Sequence, residues 1–237
     1  MMKLIFALFF VASCPVSVSG QTAESKGPFL SSYGRVIVHF PDLHTGGHYT
    51  YPHRTIKESP FYKDNGFEEG DLIISGFEFR GLPLQYDVWG DFLVTITPIH
   101  RQMITLNPLK ITRFILSDGS VFVKKENAPS YFNHKNGFYR QVINDKISLY
   151  CKHWKEFNKK AAVAFQTDDR YTDRQRYFLE IGGELIPVDK RKDAFEQLGL
   201  RKKALNDFLN GEKVKYRKNP ERYLSIMVEL ANQKRHE

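Results

Sequence analysis

Apolar residues along this chain change their spacing once, and the change divides it. From Gly70 they recur at every second position, the period of a half-buried strand. Ile73, Phe77 and Phe79 fall on one side. Leu82, Leu84, Tyr86 and Val88 alternate with Pro83, Gln85, Asp87 and Trp89, and after the turn pair Gly90-Asp91 the alternation resumes with Phe92, Val94 and Ile96. Ile111 to Ser117 and Val121 to Lys125 flank Asp118-Gly119, a hairpin signal because glycine tolerates the positive φ of a tight turn. Lys146 to Trp154 reads as another strand. Gln175 to Ile181 and Glu184 to Val188 flank Gly182-Gly183, a further hairpin. Turns that recur this often predict an antiparallel curved sheet or a sandwich, so the expected class is α+β, mainly β.

After Pro187 the spacing becomes helical. A short helix is expected over Lys190 to Leu198, entered through Asp189. Leu200, Ala204, Leu205, Phe208 and Leu209 form a second stripe that ends at Gly211. Asn219-Pro220 opens a third helix, where Asn caps free N–H groups and Pro loses nothing at the first helical position. Its stripe is Tyr223, Met227 and Leu230, with Leu224 and Val228 beside it. Stripes on helices this short need a surface to cover, and the sheet is the nearest one. The expected division is therefore 1–20 targeting segment, 21–33 linker, 34–188 β-rich body and 189–237 helical module. Gly34 to Phe40 reads as a further strand, and residues 41–69 as an irregular loop over the body.

The N-terminus changes the picture of compartment. Lys3, the apolar run Leu4 to Ala12, and small residues with Val18 and Gly20 before Gln21 have the three-part form of an export signal. Val11-Ala12-Ser13-Cys14 also fits the lipobox of a bacterial lipoprotein, but Pro15 after the cysteine favours cleavage before Gln21 and a soluble form in the periplasm or at the cell surface. Of the 2 cysteines, either processing route leaves Cys151 as the free thiol. No internal apolar run approaches the roughly 20 residues that cross a bilayer as a helix.

Hydrophobic residues are 41% and charged residues 26% of the chain, which fits a folded domain and excludes wholesale disorder. The formal charge is +8, and residues 186–237 hold 13 Lys and Arg against 8 Asp and Glu. The predicted basic face is Lys202, Lys203, Lys213, Lys215, Arg217 and Lys218. Its expected partner is an anionic envelope lipid or glycan, or an envelope protein; export argues against nucleic acid.

The chemistry-bearing residues are sparse. His39, His44, His48 and His53 are candidate ligands for zinc or copper, although Gly46-Gly47 breaks any helix that would align His44 with His48. Cys151 and His153 share one face of a strand, which invites a thiolate–imidazole reading; Ile147 and Leu149 on that face make Cys151 a buried apolar residue instead. Glu68, Glu69 and Asp71, with Asp168 and Asp169, supply carboxylates without a recognisable spacing. Trp89, Phe92, Tyr131, Phe132, Phe138, Tyr139 and Trp154 would fill a sheet core or line a groove. GxSxG, P-loop, GxGxxG, CxxC and HExxH patterns are missing from the sequence, and no cofactor is expected.

The run Gly81-Leu82-Pro83-Leu84-Gln85-Tyr86-Asp87, followed by Asp91-Phe92-Leu93-Val94, resembles a recurring pattern in exported proteins of Bacteroidota-type bacteria. Asn144 to Tyr150 and Arg191 to Met227 are similar as well, so the resemblance spans roughly residues 60–230. It implies an exported β-rich fold and supplies no catalytic residues. The expected function is an envelope-associated binding or accessory role without catalysis. A hydrolase or metalloenzyme acting on envelope material is the first alternative, and a carrier of a hydrophobic ligand the second.

Overall fold

A computed structural model describes residues 40–52, 56, 58–63, 66–98, 100–126, 137–158, 170–200 and 214–234. Among them, strands β1 (Gly47–His48), β2 (Glu68–Ile74), β3 (Phe77–Asp87), β4 (Phe92–Ile96), β5 (Met103–Thr105), β6 (Ile111–Ile115), β7 (Val121–Lys125), β8 (Gly137–Ile143), β9 (Ile147–Asn158), β10 (Arg170–Ile181) and β11 (Glu184–Val188) form one sheet. Every pairing is antiparallel, in the order β1-β5-β4-β3-β2-β6-β7-β8-β9-β10-β11. The fold is mainly β, as expected, and of the two architectures it is the curved single sheet.

The curvature is large. Asp91, at the head of β4, and Lys152, on β9, lie six strands apart in that order, which would be about 29 Å in a flat sheet. Yet Lys152 Nζ lies 2.8 Å from Asp91 Oδ2. The sheet therefore coils until its two halves touch. Register shifts at Gly70/Leu72, Ile73/Ile74 and Gln141/Ile143 supply bulges, which bend strands and raise local twist. At Gly70 a Cβ would sit 2.5 Å from the Ile115 carbonyl oxygen, so glycine permits the tight approach of β2 to β6.

Inside the coil, Tyr86 packs edge-on against Phe114 and Phe122, with ring centroids at 5.2 and 4.9 Å, and reaches Phe138 on β8. Leu72, Leu82, Leu84, Val88 and Ile111 complete this core. The outer face of β3 and β4 is covered too. Phe61 bridges to Asp87, and Tyr49, Phe61 and Val94 pack together. The described residues between 41 and 63 thus lie over the body, as expected, but the span expected as an irregular loop, 41–69, is not irregular throughout: Gly47–His48 pairs with β5 as an edge strand, and Glu68 and Glu69 open β2.

One strand reading is corrected. Ile73 and Phe77 do not share a face of one strand: a turn at Ser75-Gly76 separates β2 from β3, and the buried positions are Leu72, Ile74 and Phe79, while Phe77 is exposed.

Helix α1 (Arg191–Leu198) starts where the Asp193 carboxylate accepts from the Lys190 N–H and ends at Gly199 in the left-handed conformation. Helix α2 (Pro220–Lys234) packs on β8 and β9. The stripe Tyr223, Leu224, Met227 and Val228 joins Ile147, Leu149 and Cys151 in a second core. Asn232 fixes the helix to the strand: its Oδ1 accepts from the Ile147 N–H at 2.9 Å and its Nδ2 donates to the Ile147 carbonyl at 3.0 Å. No described helix is long and apolar enough to cross a membrane. The strand expected over 34–40 lies outside the described residues except at Phe40, and the 200–211 stripe except at Leu200.

Candidate functional site

β9 and β10 pair over their whole length, from Ile147↔Ile181 to Asn158↔Arg170. Their neighbours are shorter. β8 pairs with β9 over Leu149 to Cys151, and β11 pairs with β10 only from Tyr177 onward. The remainder, Lys152–Asn158 with Arg170–Arg176, projects as a two-stranded ribbon, and an isolated ribbon is marginal in water. This one leans on the covering segment: Lys155 Nζ donates to the Ser59 carbonyl at 2.7 Å, and the Tyr62 ring packs on His153 at 4.9 Å.

Between ribbon and covering segment lies a cleft of about 520 Å³, lined by Tyr62, Lys63, Val88, His153, Trp154, Lys155, Asp173, Arg174 and Gln175. That volume suits a small ligand or a few sugar rings. Three cations and one carboxylate line it. Each cation already has a partner: Lys63 pairs with Asp118 at 2.7 Å, Arg174 with Glu156 at 2.9 Å, and Lys155 with Asp173 at 3.4 Å. The Lys63 and Arg174 pairs are exposed and worth about 1 kcal/mol or less, so an incoming anion can compete for those two cations.

His153 is the inner wall. Its Nε2 accepts from Arg140 Nε at 3.2 Å, which leaves Nδ1 as the protonated nitrogen of a neutral ring. Burial, followed by the positive charges of Arg140, Lys152 and Lys63, pushes its pKa down to about 3. Arg140 in turn pairs with Glu221 at the start of α2, and the Tyr177 hydroxyl donates to the same carboxylate at 3.4 Å. The cleft is thereby braced from behind by the C-terminal helix.

Cys151 lies on the same face of β9 but under α2, fully buried. Burial pushes its thiol up to about 12. A thiol so placed forms no thiolate at neutral pH, and the imidazole nitrogen that would activate it is engaged by Arg140. The pair is packing, as the apolar neighbours implied.

The remaining candidates scatter. His44 and His48 are both exposed, and His39 and His53 lie outside the described residues. Among the described residues no group of three His, Cys, Asp or Glu side chains is placed to hold a metal ion. Glu68 bonds Ser117 and Asp71 accepts from the Gly81 N–H, so both serve the β2–β3 region. Phe138 and Tyr139 are buried, Trp89 and Phe92 are exposed, and Trp154 reaches the cleft. Lys215, Arg217 and Lys218 are exposed; Lys202, Lys203 and Lys213, like Asp168, Asp169, Tyr131 and Phe132, lie outside the described residues.

Tyr62, Lys63, Lys155, Asp173, Arg174 and Gln175 carry no signal as separate residues. The one available hint was the polar run from Arg170 to Arg176, with Tyr171 as its single aromatic residue, which extends β10 well ahead of Gln175. Comparison of the chain with family models, with curated proteins and with solved structures returns no match.

Proposed function

We propose that this protein works outside the cytoplasm as a non-enzymatic binding or accessory component of the cell envelope, and that the ribbon cleft takes a segment of acidic glycan. The lining of the cleft carries the reading. Tyr62 and Trp154 offer aromatic surface, Gln175 an amide, and Lys63, Lys155 and Arg174 positive charge against the single carboxylate of Asp173. Ring faces suit the apolar side of a sugar, and the cations suit its carboxylate or sulfate. Binding without turnover is supported by the state of the nearest reactive groups: the Cys151 thiol is buried, and the acceptor nitrogen of His153 is taken by Arg140. The hydrophobic-carrier alternative draws less support, because Tyr86, Phe114, Phe122 and Phe138 fill the interior of the coil. Export rests on the Lys3, Leu4–Ala12 and Gly20 arrangement.

Calorimetric titration with a galacturonic acid tetrasaccharide, against a neutral glucose tetrasaccharide, tests this. The acidic probe binds more weakly as salt rises. The exposed charges can be removed without touching the core, so Lys63→Gln with Arg174→Gln weakens it about tenfold, or about 1.4 kcal/mol. Equal binding of the neutral probe, or no binding of either, refutes the proposal.

A further inference from the structure

The ion pair that closes the coil is placed for covalent chemistry. Lys152 and Asp91 are almost dry, with side chains 1% and 8% exposed. Lys152 Nζ reaches Asp91 Oδ2 at 2.8 Å and also donates to the Phe138 carbonyl at 2.9 Å, which holds the amine against the carboxyl group. On the far side, the Tyr86 hydroxyl donates to Asp91 Oδ1 at 2.5 Å, and the Phe138 N–H faces both carboxyl oxygens at 3.4 Å. Gly137 makes the approach possible, since a Cβ there would lie 2.0 Å from Asp91 Oδ2 and 2.8 Å from Lys152 Nζ. Amine, carboxyl group and two donors aimed at the carboxyl oxygens therefore converge in one water-excluded spot, from β3, the turn before β4, β8 and β9, which the fold holds together.

We propose that Lys152 and Asp91 condense into an intramolecular isopeptide bond that locks the coil of the sheet. One proton passes from Nζ to the Asp91 carboxylate and yields a neutral amine beside a protonated carboxyl group. The nitrogen lone pair adds to Cγ, and the developing oxyanion meets the Tyr86 hydroxyl and the Phe138 N–H. Collapse expels the carboxyl hydroxyl, which departs with an amine proton as water. The C–N bond forms, one C–O bond breaks, one water is released, and no oxidant or activating nucleotide is consumed.

Two physical effects drive the step. Burial lowers the pKa of Lys152, which favours the neutral nucleophile. Groups held in contact by a fold react as if at an effective concentration on the order of 10⁵ M or more, which opposes the hydrolysis that dominates between free amines and acids in water. The product would join β4 to β9 across the seam, where the sheet has no hydrogen-bonded ladder.

Tryptic digestion of the denatured full chain, followed by mass spectrometry, decides the matter. Trypsin does not cut after an acylated lysine. The bond therefore yields one species that joins residues 81–101 to residues 147–155, lighter than the two peptides together by one water. The Asp91→Ala chain gives the two segments unlinked, with cleavage after Lys152. Free 81–101 and free 147–152 as the main products of the wild-type chain would overturn the proposal and leave an ion pair alone.

Discussion

Acid should weaken this fold through His153, and the structure sets both direction and size. The ring is buried between Tyr62 and Phe122, and Arg140, which donates to its Nε2, adds positive charge, so its folded pKa falls to about 3. The unfolded chain holds a histidine of ordinary pKa, about 6.5. Between those values the unfolded state binds the extra proton, so stability falls as pH falls. The full gap has a ceiling of about 5 kcal/mol, reached only below pH 3. Integrated from pH 8 down to pH 5, the loss is about 2 kcal/mol. Urea unfolding of the wild type and of His153→Gln across that range measures it. Glutamine still offers Arg140 an acceptor and does not titrate. His44, His48 and His100 are exposed and present in both chains, so their contributions cancel in the comparison. The wild type should lose about 2 kcal/mol more than the variant between pH 8 and pH 5. Parallel curves would show that His153 titrates normally, and the account of the cleft's inner wall would fail with them.

Other expectations follow from single contacts. Gly137→Ala pushes a methyl group into the Asp91–Lys152 seam and should cost about 3 kcal/mol by denaturant unfolding, whereas Gly47→Ala, with nothing within 4 Å of the new Cβ, should stay within about 0.5 kcal/mol of the parent. Asn232→Ala strands the buried N–H and C=O of Ile147 and should lower stability by about 2–3 kcal/mol, read by the same method; a loss below about 0.5 kcal/mol would mean that the helix is held by apolar contact alone.

What was legible in the sequence was local. Gly90-Asp91, Asp118-Gly119 and Gly182-Gly183 each mark a real turn, and Asn219-Pro220 does open a helix, with Asn219 Oδ1 accepting from the Arg222 N–H. Alternation from Leu82 to Val88 named the correct inner face, because those four residues line the coil. It hid that Pro83, Gln85 and Asp87 count as outside only until Tyr49 and Phe61 cover them; β3 is buried on both faces from Leu82 to Asp87. β8 was missed for the same reason. Gly137, Phe138 and Tyr139 are consecutive buried residues, since each face of that strand packs against something. β5 is three residues long, too short for any period to register.

The seam and the cleft were illegible for a different reason. Lys152 sits at a strand position whose neighbours, Tyr150 and Trp154, are ordinary for a half-buried face, and only the coiling of the sheet across the six strand steps between β4 and β9 brings Asp91 beneath it. Tyr62 meets His153 across 91 positions of sequence for the same geometric cause. Charge composition pointed to the C-terminal segment, where Lys215, Arg217 and Lys218 are exposed just ahead of α2, and carried no information about a cleft whose cations sit among carboxylates.

Those two surfaces make opposite demands on one measurement. Amide chemical-shift mapping of the labelled protein, titrated with the galacturonic acid tetrasaccharide, reports where an acidic glycan sits. The account predicts shifts concentrated at Tyr62, Lys63, His153 to Lys155 and Asp173 to Gln175, around the ribbon cleft. Shifts confined to Lys215, Arg217 and Lys218, with the cleft silent at saturation, would contradict it.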